Sequence, residues 1–164
     1  MSSAAARATA YHEAGHAVAA IVRGVRVKHA TIAPSGNSAG HVHLPGHMPK
    51  QIGAMHDRGM IALAGEAAQR RFSPRSVRQH HGGSDREMVR EFALRASGSA
   101  KVAQCLVDLW QAQADDLMQA RWAAVQRIAA ALLERQTVDG VELRRLVFMP
   151  ERPSAPGSSA AEHA

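Results

Sequence analysis

His12-Glu13-Ala14-Gly15-His16 constrains this chain more than any other stretch of it. The pentad lies inside a run that reads as helix, with Ala4-Ala5-Ala6-Arg7-Ala8-Thr9-Ala10-Tyr11 before it and Ala17-Val18-Ala19-Ala20-Ile21-Val22 after it. Residues i and i+4 share a helix face, so both imidazoles can point at one metal ion. Glu13 lies beside the first histidine and can reach a water on that ion without ligating it. These residue types at this spacing are the arrangement of a zinc-dependent peptidase. The bland alternative is two histidines on an ordinary helix face, in a chain that holds ten.

At 164 residues the chain can form one domain with a sizeable core. We expect it over residues 1–149, with a Pro/Ser/Gly/Ala-rich tail at 150–164 that reads as disordered. Aromatics are few, and Ala, Val, Leu, Ile and Met supply the packing, which predicts a mostly helical protein. Cys105 is the only cysteine, which excludes an internal disulfide and a cysteine zinc site and points to a reducing compartment. It reads as a small buried hydrophobe. No apolar leader and no stretch of roughly 20 apolar residues is present, so the expectation is a soluble cytoplasmic chain without a membrane partner. The net charge of +6 could suit nucleic acid, but the arginines are scattered without interleaved aromatics. A solvated basic surface is the preferred reading.

The first helix is expected from about Ala4 to Arg23, ending near Gly24. Val25 to Ile32 alternates and is rich in β-branched residues, as a half-buried strand would be. Pro34-Ser35-Gly36-Asn37-Ser38 is turn chemistry, and Gly40 to Leu44 reads as a second strand stopped by Pro45-Gly46, giving a small hairpin. Helical spacing follows from Lys50 to Phe72, broken by Ser73-Pro74. After a polar loop over Arg75 to Gly83, Ser84-Asp85-Arg86-Glu87 has a capping-box pattern, and Ser97-Gly98 ends the helix it announces. Lys101 to about Gln136 is one long helix, or two with a break near Asp115-Asp116. Thr137-Val138-Asp139-Gly140 reads as a turn and Val141 to Val147 as a short helix. Trp110 and Trp122 sit in an apolar helical series, as core or as a contact in a homo-oligomer.

A catalytic zinc takes three protein ligands and keeps one open position. His12 and His16 supply two. The extended HExxHxxGxxH pattern is excluded, because Ala19 and Val22 stand where it needs glycine and histidine. Glu66 is the first downstream glutamate on a helix. Asp85 is the other candidate, on the face that Met88, Val89 and Phe92 would turn inward. An acidic residue in a first helical turn can equally be there for the helix dipole.

His12-Glu13-Ala14-Gly15-His16-Ala17-Val18 resembles the protease domain of FtsH-type AAA proteases, which carry HEAGHA followed by a short β segment. Further stretches are similar to that family in its own order. Val27 to Pro34 resembles VxKVTIxP, Gly40-His41-Val42 its GxT return, and Leu63 to Gln69 its LxGRAAEE. Gly83-Ser84-Asp85 falls where the family has TGAxxD, and Ala131 to Gly140 resembles ALLEKETLDG. The likeness spans roughly Ala10 to Val147. It implies a zinc-peptidase helix bundle, mainly α with a small β-sheet, with Asp85 as third ligand beside His12 and His16. It also implies an edge strand, here Val42, His43 and Leu44, that holds extended substrate by main-chain hydrogen bonds.

The departures bear on function. These residues contain no GxxxxGK[ST] motif and no membrane span, so the family's motor and anchor are absent from this sequence. Polypeptide substrates would then need to be short, flexible, or delivered by a separate ATPase or other partner. Arg-Ala-Ala-Glu becomes Glu66-Ala67-Ala68-Gln69. His80 and His81 stand where the family has small polar residues and could compete for the metal. His41 and His43, with His47 beyond, could form a second metal site, and we read them instead as a polar strand face. The expectation is a Zn2+ metalloendopeptidase with Glu13 as general base. Its rivals are a catalytically silent metal-binding interaction module and a basic nucleic-acid-binding protein.

Overall fold

The computed structural model describes residues 3–34, 40–44, 51–79 and 83–150. In chain order the elements are α1 (Ser3–Val22), β1 (His29–Thr31), β2 (His41–His43), α2 (Ile52–Phe72), a 3-10 turn (Ser76–Gln79), α3 (Gly83–Ser97), α4 (Ala100–Ala120), α5 (Trp122–Arg135), β3 (Thr137–Asp139) and α6 (Gly140–Phe148). The protein is mainly α with one small antiparallel sheet, as the sequence predicts. The proposed tail, His47, His80 and His81 lie outside the described residues.

α1 is apolar nearly all round and occupies the centre, packed chiefly on α2 and α5. Ala10, Ala14, Ala17, Val18, Ala19 and Ala20 are fully buried. Small residues let the α1 and α2 backbones meet. A Cβ on Gly15 would stand 2.7 Å from the Ala68 Cβ and press on the Ala64 carbonyl. That close approach requires a residue without a side chain at this place in the pentad. α1 ends at Val22, and the chain turns away at Gly24, whose φ of 73° suits a residue without a Cβ. α2 packs against α4 through a second small residue. Gly59 lies against the Trp110 ring, which is fully buried with its indole N–H 3.3 Å from His56 Nδ1. A buried indole needs such an acceptor.

Several expectations are corrected. The expected hairpin is present as β1 and β2, paired antiparallel, but it is part of a three-stranded sheet in the order β2-β1-β3. Thr137 to Asp139, read as a turn, is β3, antiparallel to β1 with Ala30 opposite Val138. The strand is three residues long, and its partner lies over 100 residues away in sequence, so local pattern carries no trace of it. Two contacts fix its register: Thr31 Oγ1 lies 2.7 Å from Thr137 Oγ1, and Ile32 N–H donates to the Gln136 carbonyl at 2.8 Å. Only His29 to Thr31 of the Val25–Ile32 segment is strand.

The long helix breaks at Arg121 rather than at Asp115-Asp116. Asp115 stays within α4, and its carboxylate pairs with Arg70 on α2. Cys105 is exposed rather than buried, and so is Met88. The inward face of α3 is Val89, Phe92 and Ala93.

Candidate metal centre

The helical i, i+4 spacing brings the two pentad imidazoles edge to face, with their Nε2 atoms 2.9 Å apart. α3 supplies the third group from its first turn. Asp85 Oδ2 lies 3.3 Å from His12 Nε2 and 3.5 Å from His16 Nε2. Val89 and Phe92, four and seven residues on, are buried and turn Asp85 toward α1. His12, His16 and Asp85 therefore form a group that could hold a metal ion. Bonds of 2.0–2.1 Å in a tetrahedron put ligand atoms about 3.3 Å apart, and the observed triangle is close to that size.

The ring orientations support the same use. His16 Nδ1 lies 2.8 Å from the Ile61 carbonyl, which only accepts, so Nδ1 must donate. For His12 the direction follows from a longer chain. Ser76 Oγ donates to the Ser73 carbonyl at 2.7 Å and accepts from Gln69 Nε2 at 3.3 Å. That turns Gln69 Oε1 toward His12 Nδ1, 3.0 Å away, and Nδ1 donates to it. Both Nδ1 protons are thus committed outward, and both Nε2 atoms face the centre. Partners of this kind fix the tautomer and orientation of metal-binding histidines. The Ser73-Pro74 break that ends α2 positions Ser76 for this chain of bonds.

Gln69→Leu removes the acceptor, and zinc affinity is expected to fall about 10- to 100-fold. Gln69→Glu should restore it or exceed it, because a carboxylate makes His12 more basic. Competition with a chromophoric chelator measures both. Equal affinity in Gln69→Leu would show that the amide does not orient His12.

Charge is arranged around the same point. Burial and neighbouring His16 lower the pKa of His12. Burial also opposes charge on His16, but the hydrogen bond and charge of Asp85, with help from Glu13, push it up to about 9. Burial likewise works against the Asp85 carboxylate, yet the two imidazoles hold it well below the usual range. Without metal, one proton therefore sits on His16 where a cation would sit, and metal must displace it. Zinc affinity is expected to fall about tenfold for each pH unit below 9, about a hundredfold from pH 8 to pH 6. Calorimetry in buffers of different ionisation enthalpy would show about one proton released per zinc at pH 7. Affinity that is flat from pH 7 to pH 8 would contradict it.

Glu13 is 5% exposed, and its Oε2 is the one buried side-chain polar atom without a hydrogen-bond partner among the described residues. Burial pushes its pKa up to about 7, with the charge of His16 lowering it and that of Asp85 raising it. Such an atom, beside a group that could hold a metal ion, is chemically able to take up a proton near neutral pH. Gly65 on α2 completes the cradle. A Cβ there would lie 2.5 Å from His16 Cε1 and 2.9 Å from His12 Nε2.

Glu66, the alternative third ligand, is otherwise engaged. Its two oxygens accept from Arg86 Nε at 2.9 Å and Arg86 Nη2 at 2.7 Å, and Arg70 lies 3.5 Å away. The Arg86 hydrogen bond lowers its pKa, which marks a strapped ion pair between α2 and α3. Val42, His43 and Leu44 lie on and just after β2, one of the two edge strands among the described residues. Gly40, just before β2, abuts Glu13, since a Cβ on it would stand 3.0 Å from the Glu13 Cγ. The edge strand therefore begins beside the general-base candidate. The sequence reading notes Gln69 only as a departure from a pattern and misses Ser76 and Gly65. Only the glutamine-for-glutamate exchange pointed toward them.

Fold and site together define a class: a mainly α protein with a small antiparallel sheet and a His-His-Asp group able to hold a metal ion. No protein-family model matches the chain, and no curated protein matches it. No helix among the described residues is long and apolar enough to cross a membrane.

Proposed function

We propose that the protein is a zinc metalloendopeptidase that hydrolyses peptide bonds of unfolded or flexible polypeptides. The observation that carries this reading is the pairing of two inward Nε2 atoms and the Asp85 carboxylate with a buried Glu13 oxygen that has no partner among the described residues. The donor set suits zinc, and His12, His16 and Asp85 would hold it with one position left open. Zinc bound there would supply a Lewis acid that acidifies water and polarises a carbonyl.

The chain's own groups do the rest. Glu13, its pKa raised to about 7, accepts a proton from the attacking water and passes it to the leaving amine. Gln69 and the Ile61 carbonyl hold the ligands in place. Among the described residues β2 lies at an edge of the sheet, where its outer main-chain groups would take an extended substrate, with Val42, His43 and Leu44 alongside. Burial of Glu13 under Gly40 keeps bulk water from its carboxylate.

The ordered likeness of the sequence to FtsH-type protease domains supports this reading and favours Asp85 over Glu66 as third ligand. We further propose that cleavage by this chain needs no ATP, and that a separate ATPase or other partner delivers any folded substrate. The test is cleavage of an unfolded, fluorescently labelled polypeptide by the zinc-loaded chain, its loss on chelation and its return with zinc. Glu13→Gln should bind zinc and fail to cleave. Zinc binding with no cleavage by the wild type would favour the silent metal-binding module instead.

A further inference from the structure

A second group of histidines lies on the sheet. Ala30 and Val138 are buried toward the helices, so the alternate residues of β1 and β2 face the other way. Those residues include His29, His41 and His43. His29 is directly opposite His43, and their ring centroids are 5.4 Å apart. His41 lies on the diagonal, its centroid 5.6 Å from that of His29. Spacing along β2 shows His41 and His43, but only the β1–β2 register brings His29 to them.

We propose that His29, His41 and His43 form a second metal site, separate from His12, His16 and Asp85, that takes an imidazole-preferring divalent cation such as Zn2+, Cu2+ or Ni2+. Two imidazoles on one ion, with bonds of 2.0–2.1 Å, have centroids about 5 Å apart. The separations of His29 from His43 and from His41 exceed this by about half an ångström, and as the side chains stand the three rings do not bring one nitrogen each to a common point, so binding needs a closing movement. Side-chain rotation supplies that, since His41 and His43 are exposed and the paired strands hold all three Cα atoms in place. An all-imidazole set selects the late first-row divalent ions over Mg2+ and Ca2+, which want oxygen. Asp139 lies opposite His29 on β3, but its carboxylate caps α6 at the Val141 and Glu142 amides. Burial, then the charges of His41, His43 and Lys28, lower the pKa of His29, so protons compete weakly for it.

The site should be weaker than the first. His12 and His16 are held by fixed acceptors, whereas an ion on the sheet must order two exposed side chains itself. A bound ion would tie β2 to β1 and stiffen the edge strand.

Zinc titration of the metal-free full-length chain against a competing chelator tests the site. The wild type should bind two equivalents of different affinity, and His29→Gln/His43→Gln one equivalent of wild-type strength. Copper(II) added to zinc-loaded protein should show nitrogen ligation by electron paramagnetic resonance that the double variant lacks. One equivalent in the wild type, or a second equivalent unchanged in the double variant, overturns the proposal. Should the double variant lose both equivalents, His41→Gln, at an exposed position, decides. The second equivalent must then weaken at least tenfold, and unchanged binding sinks the site.

Discussion

Gly65→Ala is expected to lower zinc affinity at least a hundredfold without removing a ligand or unfolding the protein. The added methyl would lie 2.5 Å from His16 Cε1 and 2.9 Å from His12 Nε2, closer than real Cβ contacts come. Neither ring can retreat freely. His16 is tied to the Ile61 carbonyl and His12 to Gln69, and metal–ligand bonds tolerate only about 0.2 Å. Stability should respond differently. Alanine in a helix interior gains up to about 1 kcal/mol over glycine, which offsets part of an overpacking penalty of about 1–3 kcal/mol. Gly53→Ala is the control in the same helix, because a Cβ there meets nothing within 4 Å. It should leave zinc binding untouched. Chelator competition and thermal melts of the metal-free variants separate the two effects. Wild-type zinc affinity in Gly65→Ala would show that the rings are not confined as the packing implies.

The parts of this site that were legible in sequence are those set by one helix or one face. The pentad states its own geometry, since i and i+4 coincide on any α-helix. Asp85 could be aimed from the apolar positions of α3, although Met88 proved exposed and only Val89 and Phe92 carry that face. What was not legible depends on elements meeting. Glu66 and Asp85 are equally plausible ligands until α3 docks and Arg86 occupies Glu66. Gln69 orients His12 only because the chain turns back after Ser73 and brings Ser76 to the amide. β3 exists because Gly140 N–H reaches the Lys28 carbonyl and the Thr31 and Thr137 hydroxyls meet. None of those contacts has a local period. Cys105 shows the converse error, a residue type that is usually buried placed on the exposed side of an amphipathic helix.

Glu13→Gln is expected to abolish cleavage and, in the metal-free protein, to weaken the pH dependence of stability. Loss of a general base costs about 100- to 10,000-fold in rate, and the isosteric amide leaves the zinc ligands in place. The stability effect follows from the same burial. An acid whose folded pKa, about 7, lies above its model value of 4.5 binds more protons folded than unfolded between those values. Stability therefore falls as pH rises through that window and stays lower above it. At about 1.4 kcal/mol for each pH unit, the displacement corresponds to about 3 kcal/mol. His16 and Asp85 titrate in both proteins, so their contributions largely cancel in the comparison. The unpaired amide costs something at every pH, which makes the slope a better readout than the absolute value. Denaturant melts of both metal-free proteins at pH 5, 6, 7 and 8 should show Glu13→Gln gaining on the wild type up to about pH 7 and level beyond. Parallel stability curves would mean that Glu13 ionises without penalty, and its carboxylate would then lack the raised pKa that suits a base at neutral pH. A gain in stability paired with a loss of cleavage would show that the buried carboxylate is kept for its chemistry and at the expense of the fold.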